Sequence, residues 1–360
     1  MKKKTKRLIS FIFIFLAILY IFGGGIASWL ICSSNFKRVE IPDPVWFNPY
    51  YVYPMVDYDK YPRTEFTFLS GDNTLVGYDY GKENTRGLVI ICSGMGGTGD
   101  DYMEFAIRFI DDGYRVITFN YTGVGSSEGK SMRGLYQSEI DLDTLLTYIE
   151  DQNEYDNLPI YLIGHSWGGF AVCSAMNYQH RVNAVVSMAG FNDGAELFTE
   201  QGVQMAGDGF YLFYPQFWVI QKVQFGSVMD KTAVDGINNT NIPFLIIQGK
   251  EDNLITPDKL AIYAHKDEIK NPNVQYVLND GDHEGVFKST DAFMYQEKMN
   301  EKFKEFFNRE EVKAQIEADK NATINLRVQW ANEVGFDQML YNQVDDRLFK
   351  QIEAFFDEAK

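Results

Sequence analysis

Residues 161–170 read YLIGHSWGGF, and this stretch changes character in its middle. An apolar run ends at Ile163, and Gly164 and Gly168 then flank Ser166 at two positions on either side. The pattern G-x-S-x-G after a strand predicts a sharp strand-to-helix turn that holds the serine hydroxyl clear of the backbone. The start of the following helix offers free N–H groups that suit an oxyanion. Glycines used only for close helix–strand packing are the alternative, so a base and an acid must be sought elsewhere.

Apolar runs and helical patterns alternate on both sides of this motif. Residues 65–80 alternate like a hairpin of half-exposed strands. Continuous apolar runs are typical of parallel strands buried on both faces, and they occur at 87–94, 114–123, 158–164 and in VNAVVSMAG, IPFLIIQG and VQYVLND. Helical patterns fall around 101–111 and 138–151, from Ser166 to about Tyr178, and near 257–268. The sequence therefore predicts an α/β fold with a mostly parallel eight-stranded sheet and helices on both faces.

Residues 191–241 separate two predicted strands by far more than an ordinary connection, which indicates a helical cap insertion. This insertion carries four crowded aromatic residues as candidate substrate contacts, Phe210, Phe213, Tyr214 and Trp218. Packing of the cap onto the core is the alternative role for them.

A second long polar and helical stretch covers residues 288–344, before an amphipathic final helix. Its sequence indicates no function.

The chain has four histidines, so few residues can act as a base for the serine. His165 is expected to be buried in the sheet, His180 to lie late in a helix, and His265 to lie on an exposed helix. His283 differs because it falls in LNDGDHEGVF, a glycine-bearing loop directly after the last predicted strand. It is the candidate general base, with an ordinary turn histidine as the alternative.

The candidate acid is Asp252, which directly follows the predicted strand PFLIIQG. Active-site groups of open α/β sheets gather at such carboxyl ends of strands. Glu251 is the main rival, and Asp282 is too close to the histidine in sequence. The order Ser166, Asp252, His283 is the nucleophile–acid–base order of α/β-hydrolases.

With these residues in place, 65–285 resembles an α/β-hydrolase, with a pattern similar to the serine aminopeptidase and monoacylglycerol lipase-like group. CSGMGGTGDDY (92–102) matches the oxyanion loop of that family, with Ser93-Gly94 in place of His-Gly. The resemblance implies that the backbone amides of Met95 and Trp167 form the oxyanion hole. NYTGVGSSEG (120–129) resembles the D-x-R-G-x-G-x-S loop of the family but has other residues at Asn120 and Thr122.

The resemblance implies a serine hydrolase that cleaves carboxylic esters through an acyl-enzyme, with a small-molecule ester or short peptide as substrate. The alternatives are an aminopeptidase-type peptidase, an acyltransferase, and a catalytically idle binding or envelope scaffold. Scattered histidines and three unclustered cysteines give no zinc spacing, so neither a metal nor a cofactor is expected. The cysteines are expected to be free.

The N-terminus predicts export. Residues 1–7 carry five positive charges, and residues 8–31 carry no charge. This uncharged segment is long enough to cross a bilayer as a helix. The positive charges before it place the N-terminus in the cytoplasm. We expect a single-pass signal-anchor and an extracytoplasmic catalytic domain in the cell membrane. The alternative is secretion after signal cleavage near Ala27. A proline- and aromatic-rich strap at 32–64 then leads to the hydrolase domain at 65–360.

The charge balance limits the partners. The formal net charge is −17, and without the basic first seven residues the remainder carries −22. Such an acidic body repels nucleic acid, which is excluded as a partner.

Overall fold

The computed structural model describes residues 3–41, 59–319 and 322–359. Its eight strands form one sheet, and they are β1 (Arg63–Ser70), β2 (Asn73–Tyr80), β3 (Leu88–Cys92), β4 (Arg115–Phe119), β5 (Ile160–His165), β6 (Ala184–Met188), β7 (Phe244–Gly249) and β8 (Val274–Asn279). The strand order is β1-β2-β4-β3-β5-β6-β7-β8. Strands β3 to β8 run parallel, whereas β2 is antiparallel to both β1 and β4. The predicted, mostly parallel eight-stranded sheet is confirmed.

Thirteen α-helices are found in the described residues, and they are α1 (Lys3–Ile18), α2 (Gly24–Asn35), α3 (Met103–Asp111), α4 (Gln137–Glu150), α5 (Trp167–Ser174), α6 (Gly194–Ala206), α7 (Tyr214–Phe225), α8 (Ala233–Asn238), α9 (Thr290–Phe307), α10 (Glu310–Ala318), α11 (Ala322–Val334), α12 (Gln338–Asn342) and α13 (Asp346–Glu358).

Each face of the sheet has its own apolar core. Alternate residues of a strand point to opposite faces, so Leu88 and Ile90 of β3 join one core while Val89 and Ile91 join the other. Helices α4, α5 and α8 supply the first core, and α3 and α13 supply the second. This double cover explains why the central strands are apolar throughout and places the carboxyl ends of the parallel strands along one edge.

The predicted cap lies between β6 and β7 and contains α6, a 3₁₀ turn at Asp208–Phe213, α7 and α8. The helix predicted near 257–268 is wrong. The structure has turns there and a short 3₁₀ helix at Ile262–His265, because the backbone of this segment pairs elsewhere: Ala261 bridges to Phe191, and the Ile262 N–H donates to the Gly190 carbonyl.

Helices α9 to α12 fill the interval between β8 and α13. Their apolar residues form a small separate core that includes Met299, Phe306 and Trp330. This accounts for the polar stretch at 288–344 as a helical subdomain attached to the main domain.

The N-terminal helix continues from α1 through a π-helical segment, Leu19–Gly23, into α2. Residues Arg7–Asn35 have a window of mean hydropathy 2.5, so this helix has the length and composition to cross a membrane, as a signal sequence also does. Most of the predicted strap, residues 42–58, lies outside the described part of the chain.

Candidate active site

Ser166 occupies the single residue between β5 and α5. Its backbone is left-handed, with φ +56° and ψ −113°, a region that non-glycine residues rarely adopt. The Ser166 N–H donates to the Met188 carbonyl at 2.9 Å, which ties the turn to the neighbouring strand. A strained serine held between a strand and a helix is the geometry that exposes a hydroxyl for reaction.

The two flanking glycines are required by the close approach of backbone atoms. A Cβ on Gly164 would stand 2.2 Å from the Gly168 carbonyl oxygen, and a Cβ on Gly168 would stand 2.1 Å from the Cys92 carbonyl oxygen. Neither position has space for any side chain, so the glycines permit the tight turn that presents Ser166.

The structure brings together the three side chains that the sequence singled out as nucleophile, acid and base. His283 Nε2 lies 2.9 Å from Ser166 Oγ, and His283 Nδ1 lies 2.8 Å from Asp252 Oδ2. Since ionised Asp252 is a pure acceptor, Nδ1 carries the proton and Nε2 is free to accept one from the serine. Glu251, the rival acid, is exposed, and the Nδ1 atom of this imidazole faces Asp252.

Asp252 is buried but well supported as an anion. Its Oδ1 accepts from the backbone N–H groups of Leu254 and Ile255 at 2.9 and 2.8 Å. Gln248 Nε2 donates to Oδ2 at 3.1 Å. Burial by itself raises the pKa of Asp252, but the hydrogen bond and charge of His283 and the two N–H donors outweigh it, so the pKa is lowered. The carboxylate therefore stays charged and holds the imidazole in one tautomer.

The predicted oxyanion residues lie on both sides of the serine. Trp167 begins α5, so its N–H belongs to the first helical turn and has no acceptor within the helix. Met95 lies in a turn closed by a 3.0 Å bond from the Gly97 N–H to the Gly94 carbonyl, with Gly96 left-handed at φ +77°. Met95 and Trp167 both line the cavity that contains Ser166.

His165 connects the turn that contains Met95 to the loop of His283, a contact that the sequence did not suggest. Its Nε2 lies 2.9 Å from the His283 carbonyl oxygen, which only accepts, so Nε2 carries the proton. Its Nδ1 therefore accepts from the Tyr102 hydroxyl at 2.7 Å, and that hydroxyl accepts from the Gly94 N–H at 3.3 Å. Burial and the nearby His283 lower the pKa of His165 to about 4, so this ring is neutral.

The remaining histidines lie away from this site. His180, expected late in a helix, follows the short 3₁₀ helix Ala175–Asn177 and contacts Asp143 and Glu150. His265 contacts Glu268.

The two departures from the loop pattern of the family are built into the core. The Asn120 side-chain oxygen accepts from the Gly99 N–H at 2.7 Å. Both the N–H and the hydroxyl of Thr122 donate to buried Asp141, at 2.7 and 2.9 Å. These residues brace the loops around the site, and neither lines the cavity.

A cavity of about 430 Å³ opens over Ser166. Its apolar wall consists of Met95, Phe105, Leu135, Trp167, Phe191, Leu197, Leu254, Ile255, Phe287 and Val344. Its polar wall includes Asp101, Tyr102, Glu104, Gln201, Glu284, Lys288 and Asn342. The size fits a small organic substrate.

The cap contributes Leu197 and Gln201 of α6 to this cavity. The four aromatic residues proposed as substrate contacts are not among its lining residues. Phe210 and Phe213 pack within the cap, and the side chains of Tyr214 and Trp218 are each 41% exposed on its outer surface. The segment that carries them, the 3₁₀ turn and α7, packs against the N-terminal helix, where Tyr20 contacts Leu212 and Gln216.

Lys288 and Asn342 reach the cavity from the helical stretch that had no sequence-based function. The side chain of Lys288 is buried, and its Nζ lies 3.3 Å from Glu284 Oε2. Burial lowers the pKa of Lys288. No motif marks these residues, since only tertiary packing brings them to Ser166.

Within residues 3–41, 59–319 and 322–359, no group of three or more His, Cys, Asp or Glu side chains is arranged to hold a metal ion. Cys32, Cys92 and Cys173 are buried free thiols.

Comparison with known proteins shows what this chain is similar to. Residues 83–239 match the family model described as serine aminopeptidase S33. An uncharacterised 31.7 kDa protein from the traX-finO intergenic region of Escherichia coli is 37% identical over 115 residues, covering 31% of this chain and 40% of that protein. The quorum-quenching protein AidA of Acinetobacter baumannii is 30% identical over 110 residues, covering 30% of this chain and 36% of that one. The chain thus matches less than half the length of these relatives.

Among solved structures, the Pyrococcus furiosus esterase Pf2001 superposes with a TM-score of 0.51 at 19% identity, covering 76% of this chain and 98% of that one. The likeness is one of fold. It shows that the chain has an α/β-hydrolase fold, and it agrees with the match of residues 83–239 to the serine aminopeptidase S33 family model.

Proposed function

We propose that this protein is an exported, membrane-anchored serine hydrolase that cleaves carboxylic esters through an acyl-enzyme. The observation that carries the proposal is the continuous hydrogen-bonded row of Ser166 Oγ, the His283 ring and buried Asp252, at 2.9 and 2.8 Å. A serine hydroxyl becomes a nucleophile only when a base takes its proton, and this row supplies a positioned base.

In the proposed reaction, His283 Nε2 accepts the proton of Ser166 as Oγ attacks the ester carbonyl carbon. The N–H groups of Met95 and Trp167 donate to the resulting oxyanion, each worth roughly 3–4 kcal/mol of transition-state stabilisation. Asp252 stabilises the imidazolium. His283 then protonates the leaving alcohol, which leaves an acyl group on Ser166.

Water completes the cycle in the reverse sense. His283 takes a proton from a water molecule, whose oxygen attacks the acyl carbon, and returns that proton to Ser166 Oγ as the acid departs. An acyltransferase differs only in using another alcohol in place of water at this step.

An aminopeptidase is the second candidate, favoured by the carboxylates of Asp101, Glu104 and Glu284 in the cavity wall. A free amino terminus needs such an anion. Each of these groups already has a partner, respectively Thr98, Arg108 and Lys288. The apolar wall beside Ser166 therefore favours an acyl group over a charged amine.

The location rests on the N-terminal helix. Positive charge before residue 8 and an uncharged run to residue 31 favour a cytoplasmic N-terminus and an anchor that leaves the catalytic domain outside.

The test is a substrate panel of p-nitrophenyl esters of increasing acyl length and aminoacyl p-nitroanilides, assayed with the full chain. We expect ester turnover, and loss of at least about 10³-fold in kcat on Ser166→Ala. Exposed Ser227→Ala is the matched control and retains the wild-type rate. Turnover of anilides alone favours the aminopeptidase, and wild-type rates in Ser166→Ala contradict both candidates.

A further inference from the structure

The outer surface of the cap is apolar in a way that contact with water does not favour. No charge occurs between Asp208 and Lys222. Along the 3₁₀ turn Asp208–Phe213 and α7, large apolar side chains stand exposed: Leu212 is 66%, Val219 52% and Val223 84% exposed. Together with Tyr214 and Trp218 they form what we term the cap face. A contiguous exposed apolar patch marks a surface that meets another apolar phase.

Helix α7 is apolar on both sides, unlike an ordinary surface helix. Phe217 and Phe225 are buried on its inner side together with Gln221, while Trp218, Val219 and Val223 point outward. A surface helix in water has its polar side chains outward. The composition of the face, aliphatic residues with Trp and Tyr, matches that of surfaces at the membrane boundary.

The cap face lies directly beside the candidate anchor. The Tyr20 hydroxyl donates to the Leu212 carbonyl at 2.5 Å, and at the other end Gln221 meets Cys32. Between these contacts, the buried residues Gly24, Ser28 and Cys32 of α2 recur every four positions and form one face against the cap. Helices α2 and α7 therefore run side by side.

The contact between α2 and α7 determines how deep the cap face would lie in a membrane that the anchor spans. From Tyr20 to Cys32 the helix rises about 18 Å, roughly the outer half of a bilayer core. If the anchor spans the membrane, the side of α7 that faces away from it must lie at the level of lipid chains. Since α7 satisfies its backbone hydrogen bonds internally, it tolerates that environment.

We propose that the cap face is a lipid-contacting surface that inserts into the outer leaflet beside the anchor, so that the enzyme takes esters held in the bilayer. This proposal rests on the proposed anchoring. Packed side chains connect the helix of this face to the cavity wall. The rings of Phe217 in α7 and Phe198 in α6 have centroids 5.0 Å apart, and Leu197, next to Phe198, lines the cavity. The occupant is the acyl region of phospholipid, which matches a face of aliphatic and aromatic side chains, beside which Lys222 is paired with Asp230.

Two native tryptophans make the test direct. The full chain is reconstituted in vesicles of phosphatidylcholine, either plain or brominated in the acyl chain, and quenching of tryptophan fluorescence by bromine is measured. Trp218 reports on the cap face and Trp29, 57% exposed on α2, reports on the anchor. Trp218→Phe and Trp29→Phe assign the quenching to each position, and buried Trp330→Phe is the matched control. Thermal unfolding verifies that each variant is folded.

The proposal expects Trp218→Phe and Trp29→Phe to remove comparable shares of the quenching, and Trp330→Phe to remove none. Quenching that depends on Trp29 alone overturns the cap insertion and keeps the anchor. Quenching that is unchanged by Trp218→Phe and by Trp29→Phe overturns both the cap insertion and the anchor. Shielding of Trp218 from aqueous acrylamide without quenching by lipid bromine indicates a protein contact, such as a second copy of the chain, and also overturns the proposal.

Discussion

At the scale of single residues, the arrangement around His165 links two parts of the site that are far apart in sequence. Its Nε2–H donates to the His283 carbonyl, and its Nδ1 accepts from the Tyr102 hydroxyl. The same hydroxyl accepts from the N–H of Gly94, in the turn that contains Met95. The proposed base and the proposed oxyanion donors thus share one neutral, buried contact residue. Because His165 touches no reacting atom, it is a positioning residue.

Replacing His165 tests this positioning role. We expect His165→Ala to lower kcat about 10-fold with little change in KM, because the loss of one donor of roughly 1 kcal/mol loosens the base in the transition state. His165→Gln, which keeps a side-chain donor, recovers part of the rate. Steady-state kinetics on the best ester give the comparison, and an unchanged kcat in folded His165→Ala contradicts this role.

The same residue makes stability sensitive to acid. The pKa of His165 is about 4 when folded, below the usual 6.5 of an unfolded histidine. Below pH 6.5 this histidine is therefore protonated in the unfolded chain but stays neutral in the folded one. The free energy of unfolding falls by up to about 3 kcal/mol by pH 4 as a result. In His165→Gln this loss is absent. Urea unfolding of both proteins from pH 7 to pH 4 measures their free energies of unfolding. We expect the variant to become steadily more stable relative to the wild type as the pH falls.

At the scale of elements, the turn between β5 and α5 was predictable because steric limits act locally. A serine between two glycines behind an apolar run has few other geometries. The order of Asp252 and His283 after their strands was likewise visible, since parallel strands bring their carboxyl ends to one edge. The helix expected near 257–268 failed because its backbone bonds to a distant loop, which local periodicity does not report.

The glycines of this turn allow a sharp comparison. We expect Gly168→Ala to destabilise the protein by about 3 kcal/mol and to abolish turnover, since the new methyl group meets the Cys92 carbonyl. Gly209→Ala is the matched control because its Cβ meets nothing within 4 Å, and it changes stability by less than about 0.5 kcal/mol. Equal unfolding midpoints for the two variants contradict the steric role of Gly168.

At the scale of the whole molecule, the parts that escaped sequence reasoning come from tertiary contacts. Lys288 and Asn342 reach the cavity from a polar stretch without any motif. The aromatic run at 210–218 meets the N-terminal helix and does not line the cavity over Ser166. Periodicity shows that such segments are apolar or helical. It does not show which neighbour they meet.

Topology is testable in a bacterial host with alkaline phosphatase, which is active only outside the cytoplasm, fused to residue 360. We expect an active fusion in the membrane fraction, because basic residues 2–7 retain the N-terminus inside. The same fusion without residues 1–36 stays inactive in the cytoplasm. A released, active fusion would instead show signal cleavage, and an inactive full-length fusion contradicts export.

The most direct measurement of the central claim is covalent labelling of the folded full chain with a fluorophosphonate, located by peptide mass spectrometry. We predict one adduct, on Ser166, formed rapidly in the wild type and lost in His283→Ala. Absence of an adduct on Ser166 in folded protein, or equal labelling in His283→Ala, contradicts a serine activated by this histidine.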